Sequence, residues 1–374
     1  MIDFPIKIKY LVNTMEEFIY ISTEKELDEA IDLWKKKKVL GIDLECENNL
    51  HHYGVYISLF QITDGETNWV VDALTVKNCK KLAAIFEDDK IQKIFHDVSF
   101  DLRVINLEYG CSLKNVFDTQ IAALLLGEES VGLGSLLEKY LSVTKERKFQ
   151  RADWTKRPIS QEMLSYAVND TIYLIQLRDI LRKKLKDKKR ELWLKQELKY
   201  IETKKWKYKT PKHSDVKGFK SLTDTQRAIF KRIWLVREKL AKKIDRPVHY
   251  LIPNKRLIEL SINPPKTISE WKRMRRVHLV VKKGAYDFYL QADKGKKETI
   301  ELEKVEKKRM LPEQKEEMKK LIEFQQQKAA KLKIQGHLIM NKDQMIEFVV
   351  SDNKEVFRPW QWDLIKDAVK KIKQ

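Results

Sequence analysis

Short apolar runs alternate with amphipathic stretches along the first 140 or so residues, the rhythm of strands and helices in turn. Phe18–Ser22 reads as a strand, and Thr23 with Glu26 makes a capping box that opens a helix to about Lys37. Val39–Ile42 is a short apolar strand running into Asp43-Leu44-Glu45. Tyr56–Thr63 and Thr67–Asp72 predict a hairpin around Asp64-Gly65. A helix is expected from about Asn78 to Phe86, then a strand at Lys93–Phe95. The next helix runs through about Leu107, with Ser99 or Asp97 as its cap and Phe100, Val104 and Leu107 on its buried face. Val116–Thr119 reads as a strand, with Asp118 the N-cap of an apolar helix, Gln120–Leu126, and Leu133–Leu141 as a short amphipathic helix. Pro158 and the N-cap Ser160 then open one long helix, Gln161 to about Leu185. On that helix Tyr166 and Asp170 are four residues apart, so phenol and carboxylate share a face.

Beyond residue 200 the pattern turns helical. Lys204–Lys220 is polar and basic with Pro and Gly, and reads as a linker. Thr223 or Asp224 caps a helix to about Lys243, whose stripe Ile229, Ile233, Leu235, Val236 and Leu240 suits burial. Asp245–Met274 gives two short helices punctuated by prolines. Val277–Gln291 alternates in a way that fits strand-like or irregular structure. A further helical unit is expected from about Lys307 to Gln374, with Trp360 and Trp362 as core anchors.

Charge changes the picture more than composition does. The chain carries a net +20, yet residues 1–200 balance at −1 and residues 201–374 at +21. A basic half of that kind fits a polyanionic partner, nucleic acid before an anionic membrane surface. Cys46, Cys79 and Cys111 lie far apart without a CxxC, which argues for a reducing compartment and against structural zinc. The stretch MIDFPIKIKY lacks the build of a signal peptide, and no apolar run approaches the roughly 20 residues that span a bilayer. A cytoplasmic protein with no membrane contact, monomeric by default, is the expectation.

The candidate chemistry sits at strand ends. Residues i and i+2 of a strand point the same way, so Asp43 and Glu45 present two carboxylates together while Leu44 faces away. Paired carboxylates repel unless a cation or protons neutralise them. Asp97 and Asp101 flank a strand-to-helix junction, a place where α/β folds put functional groups, and the residues alone do not choose between them.

IDLE at Ile42–Glu45, HDVSFDL at His96–Leu102, YAVND at Tyr166–Asp170 and the stretch ADWTKRPISQEMLSYA occur in order across about 130 residues. Together they resemble the DEDD exonuclease family of the ribonuclease H-like fold, in the tyrosine-bearing branch that includes ribonuclease D and the exosome-associated exonuclease. The resemblance selects Asp101 over Asp97. It implies an α/β domain, a mixed sheet flanked by helices, over 1–200, and a basic linker over 201–220. The helices after it resemble the HRDC module through Trp234, Arg237-Glu238, Arg246-Pro247, Leu257–Leu260, Pro265 and Ile268, giving an all-α HRDC domain over 221–295 and a second HRDC-like one over 300–374.

The same resemblance implies a metal-dependent 3′-5′ exoribonuclease that releases 5′-mononucleotides and trims structured RNA such as tRNA precursors. Clustered carboxylates without paired His or Cys suit two Mg²⁺ or Mn²⁺ ions, about 3.5–4 Å apart in such sites. Asp43 would bridge the ions, Glu45 and Asp170 would complete the site of the attacking water, Asp101 would support the second ion, and Tyr166 would orient the water or help take its proton. Leu44 and Phe100 are expected near the terminal base, Arg147 and Arg151 near phosphates. Cys46 stands where relatives often carry an aromatic or a histidine, which bears on nucleotide preference. The rivals are a DNA exonuclease of the same branch and a catalytically inactive RNA-binding adaptor; the intact acids and tyrosine speak against the latter.

Overall fold

In a computed structural model describing residues 17–146, 148–302 and 310–373, the apolar run at Val39 continues as a ten-residue strand, β2 (Val39–Asn48), within a six-stranded sheet. Arg147, the N-terminal stretch read against a signal peptide, and the start of the unit placed at Lys307 lie outside these residues. The sheet order is β1 (Phe18–Ile21), β4 (Asn68–Asp72), β3 (Val55–Thr63), β2, β5 (Gln92–Phe95) and β6 (Val116–Asp118). The β2–β3 and β3–β4 pairs are antiparallel and the others parallel, so the sheet is mixed as expected.

Helices cover both faces. On one side lie α1 (Glu24–Trp34), opened by the Thr23–Glu26 capping box, then the short α2 (Ala83–Phe86) and α3 (Ser99–Tyr109). Their core holds Trp34, Phe60, Phe86, Phe95 and Leu102. The other side carries α4 (Thr119–Leu126), α5 (Leu133–Leu141), α6 (Gln161–Val168) and α7 (Leu174–Asp187), while α8 (Glu191–Thr203) runs along the β6 edge with Leu194 in this core and Ile201 in the first.

Several expectations change. Neither Ser99 nor Asp97 caps α3; its N-cap is Val98, without a side-chain bond. Asp97 turns the chain at φ 60°, and the Asp118 carboxylate accepts from the Asp97 and Val98 N–H groups as well as capping α4. Leu107 is 47% exposed, while Val104 and Ile105 face the core. The long helix from Gln161 breaks at 169–173, because the N–H groups of Asp170 and Thr171 bond back three residues, to Ala167 and Val168, and tighten the chain. Arg157-Pro158 is a cis peptide. The linker is packed rather than free at its start: Trp206 donates to the Ile201 carbonyl at 2.8 Å and takes Arg103 and Lys204 over its ring at 5.2 and 4.3 Å.

The basic half folds as two helical units that open with the same order of elements. The first has α9 (Asp224–Lys243), the one-turn α10 (Val248–Leu251), α11 (Asn254–Ile262), α12 (Ile268–Lys272), α13 (Leu279–Lys283) and α14 (Ala285–Gly295). Thr223 caps α9 in a capping box with Gln226. Ile229 and Ile233 are buried in its stripe, but Leu235 is 51% exposed; 277–278 is irregular, while 279–291 is helical rather than strand-like, with Val281 of α13 and Ala285 and Phe288 of α14 buried in the core. The second unit has α15 (Pro312–Leu332), α16 (Gly336–Ile339), α17 (Lys342–Ser351) and α18 (Pro359–Lys373). In each unit a long helix ends at a left-handed residue, Asp245 or Lys333, before a one-turn helix and a helix of about ten residues.

Both units are fixed to the α/β half. In the loop after β2, His52 Nδ1 meets the Asp245 carboxylate at 2.6 Å, and the Tyr53 hydroxyl donates to Glu238 at 3.0 Å. Further along, Trp360 stacks on Trp193 at 4.6 Å, which makes it the anchor expected, and Arg190 donates to the carbonyls of Leu125 (2.7 Å) and Leu332 (2.6 Å). No helix among the described residues is long and apolar enough to cross a membrane.

Gly127 ends α4 at φ 88°, and a Cβ there would lie 1.9 Å from the Lys333 carbonyl oxygen. Gly127→Ala should therefore pry the second helical unit from the α/β half and cost about 2 kcal/mol or more in urea unfolding.

Candidate active site

Strand alternation sets the first two acids. On β2, Asp43 and Glu45 face one side, opposite Gln61 and Leu59 of β3, while Leu44 joins the core of the other face. The turn after α6 brings Asp170 to the same place. One carboxylate oxygen from each of Asp43, Glu45 and Asp170 lies within 4.8 Å of the others. Asp101, buried in the first turn of α3, stands close enough to Asp43 for each charge to oppose the other's ionisation. The structure thus brings Asp43, Glu45 and Asp170 together, with Asp101 beside Asp43 but outside that cluster. Asp97 instead lines the neighbouring cleft and bonds to Ser99.

Their electrostatics show what the arrangement costs. Burial, then the Asp170 charge, pushes the Asp43 carboxyl up to about 7. Burial foremost also raises Glu45, with Asp43 and Asp170 adding to it, and raises Asp101 and Asp170. Lys145 pulls the other way. Its ammonium pairs with Asp170 and lies 4.9 Å over the Tyr166 ring. Carboxylates crowded this way, with one lysine against them, form a donor set that a hard divalent cation fits.

Tyr166 is held in an aromatic wall, with Phe149 edge-on at 5.6 Å and Trp154 at 6.2 Å. Burial, then Asp170 and Glu45, raises its phenol above the ordinary value against the pull of Lys145. The wall is anchored by Arg157, which makes two 2.6 Å bonds to Asp72 and one of 2.7 Å to the Trp154 carbonyl. Burial alone would push the Asp72 carboxyl up, yet bonds from Arg157 and Tyr20 hold it below the usual range. The ADWTKRP stretch is thus the scaffold of Tyr166. His96 bonds to Thr119 at 2.9 Å, and burial depresses it to about 4, leaving a neutral ring.

Beside the acids opens a cleft of about 320 Å³, lined among others by Asp43, His96, Asp97, Lys145, Gln150 and Asp170. The expected substrate contacts are placed unevenly. Leu44 is 8% exposed and Phe100 half-buried against the same core; Arg151 is exposed, its carbonyl bonded to His51 at 3.1 Å. Lys145 and the Asp72–Arg157 pair were not among the predicted residues. The basic run at 145–151 was the available signal for Lys145; nothing local marks a pair 85 residues apart.

Comparison with known proteins agrees with this geometry. A family model described as 3′-5′ exonuclease matches residues 18–186, and one for the HRDC domain matches 226–284. Ribonuclease D of Shewanella sp. (strain ANA-3) is 30% identical over 268 residues, covering 70% of this chain and 68% of the relative. The exosome complex exonuclease RRP6 of Saccharomyces cerevisiae is 33% identical over 168 residues, 45% of this chain but only 23% of that protein. The crystal structure of Escherichia coli RNase D, described as an exoribonuclease involved in structured RNA processing, superposes with a TM-score of 0.71 at 21% identity, covering 95% of this chain and 98% of that one.

The raised Asp43 carboxyl sets a pH dependence. Unfolded, the group releases its proton near its ordinary value of 3.8; folded, it keeps it to about 7. Between those values the unfolded chain binds fewer protons, so metal-free stability falls as pH rises. In EDTA, Asp43→Asn should raise the unfolding free energy by roughly 2–4 kcal/mol at pH 8, with the gap closing below pH 4, as thermal melts across pH would show.

Proposed function

The chain belongs to the ribonuclease D family and is a divalent-metal-dependent 3′-5′ exoribonuclease, and on that footing we propose how its residues divide the work. The observation that carries the reading is the convergence of Asp43, Glu45 and Asp170 within 4.8 Å. These three hold two divalent ions, with Asp101 supporting the second from α3. All-oxygen donors favour Mg²⁺ or Mn²⁺. When bound, such ions supply a water nucleophile at neutral pH and offset charge on the leaving 3′-oxygen.

Tyr166 orients the attacking water. Burial first raises its phenol in the metal-free site, which favours orienting the water through a hydrogen bond over taking its proton. The aromatic wall and the Asp72–Arg157 pair hold that hydroxyl in place, and Lys145 offsets part of the carboxylate charge. Phe100, next in sequence to Asp101, borders the terminal base, whereas Leu44, buried in the core of the opposite face, does not reach it; Arg147 and Arg151 are the proposed phosphate contacts. The product is a 5′-mononucleotide.

The substrate is the 3′ end of structured RNA such as tRNA precursors, supported by the description of the Escherichia coli relative. The helical units 221–295 and 300–374, an HRDC domain and a second HRDC-like domain after the basic segment 201–220, carry the excess positive charge. They grip phosphates without reading sequence, so affinity falls steeply with salt. We place the protein in the cytoplasm as a monomer.

With Mn²⁺ and end-labelled single strands, RNA should shorten from its 3′ end; shortening of DNA alone would favour the DNA exonuclease instead. Asp170→Asn should abolish shortening while salt-sensitive RNA binding persists, and full activity of that variant would refute the metal assignment. Tyr166→Phe should lose roughly 10²-fold in kcat, with the Mn²⁺-induced rise in Tm kept; unchanged kinetics would remove its role.

A further inference from the structure

Gln61 lies mid-strand in β3 with no exposed surface, and neither its Oε1 nor its Nε2 has a hydrogen-bond partner among the described residues. A side-chain amide offers two donors and an acceptor, and native interiors seldom leave both ends bare without a water, an ion or a functional reason. Its surroundings indicate which reason applies.

Gln61 is the cross-strand partner of Asp43, so the two side chains share a face. One step along that face is the pair Gly41 and Thr63, and one step the other way is Glu45 and Leu59. The first pair is roofed by the turn after α6: a Cβ on Gly41 would lie 3.3 Å from the Thr171 carbonyl oxygen and 3.2 Å from Leu174 Cβ. Leu59 packs in one cluster with Tyr166, Ala167 and Val168. Gln61, between them, lies beneath the segment that presents Asp170 and beside Asp43. Asp170 is turned toward Lys145, and the amide is left bare.

We propose that Gln61 is a positioning residue of the acid site, whose side-chain amide donates to the Asp43 carboxylate when that carboxylate holds a divalent cation, fixing which oxygen faces the ion. The proposal rests on the assignment of Asp43, Glu45 and Asp170 as metal-binding acids. A donor behind a ligating carboxylate sets its orientation, and loss of such a partner typically lowers metal affinity by 10- to 100-fold.

The test is Mn²⁺ titration of the full chain by calorimetry, with metal-free melts alongside. Gln61→Met keeps length and volume but removes the amide. It should lower Mn²⁺ affinity by about 10-fold or more and reduce kcat with little change in KM for RNA, while the metal-free Tm is equal to or above that of the unaltered protein. Gln61→Asn retracts the amide by one methylene and should show the same loss, which keeps the test open if the methionine variant does not fold. Unaltered Mn²⁺ affinity in both variants would overturn the proposal and leave the amide a structural group bridged by buried water. Asp43→Asn is the control: if it too binds Mn²⁺ like the unaltered chain, the acid assignment fails and Gln61's role falls with it.

Discussion

The repulsion among carboxylates on one face of β2 is the constraint the α/β half is built to withstand. Asp43 and Glu45 are neighbours by strand geometry, and Asp170 joins them from a different element. Burial first, with neighbouring carboxylates adding to it at Asp43 and Glu45, pushes each of these carboxyls up, so the group resists being charged. They stay together because none is free to leave. Two are locked into a ladder with β3, and the third sits on a turn tightened by bonds to Ala167 and Val168. The fold therefore stores an affinity for positive charge at one place, and Lys145 answers only part of it.

Around that core the supporting pairs divide the labour. Asp118 collects N–H groups from the start of α4 and from the Asp97–Val98 turn, which fixes where α3 begins and so where Asp101 points. Asp72 and Arg157 do the same for the wall behind Tyr166. Neither belongs to the acid cluster. Each sets the position of a residue beside it.

Much of this was readable from the chain. Alternation along β2 placed Asp43 with Glu45, and the four motifs in order selected Asp101 where residue spacing alone left Asp97 open. The break after α6 was hidden because the apolar pattern runs on through Ile172 and Leu174 without Gly or Pro to mark it. The helices from Leu279 onward were hidden for a related reason: the alternation that begins at Val277, Leu279 and Val281 overlaps with a helical face in so short a window, and packing of Val281, Ala285 and Phe288 in the core with α9 decided it. Lys145 and Gln61 were invisible as site residues. One is a lysine in a basic run and the other a polar residue in a strand, and only the tertiary fold shows what each lies against.

The loop that follows β2 carries its own implication. The strand holding Asp43 and Glu45 runs without a helix or hinge into His52 and Tyr53, which grasp Asp245 and Glu238 of the first helical unit, while His52 also faces Asp153 at 3.6 Å. The first helical unit is thus pinned to the bend at 49–54 that closes the strand bearing Asp43 and Glu45. The distance from the helical unit to the acids is therefore set by a short, pinned turn of chain rather than by a pliable tether.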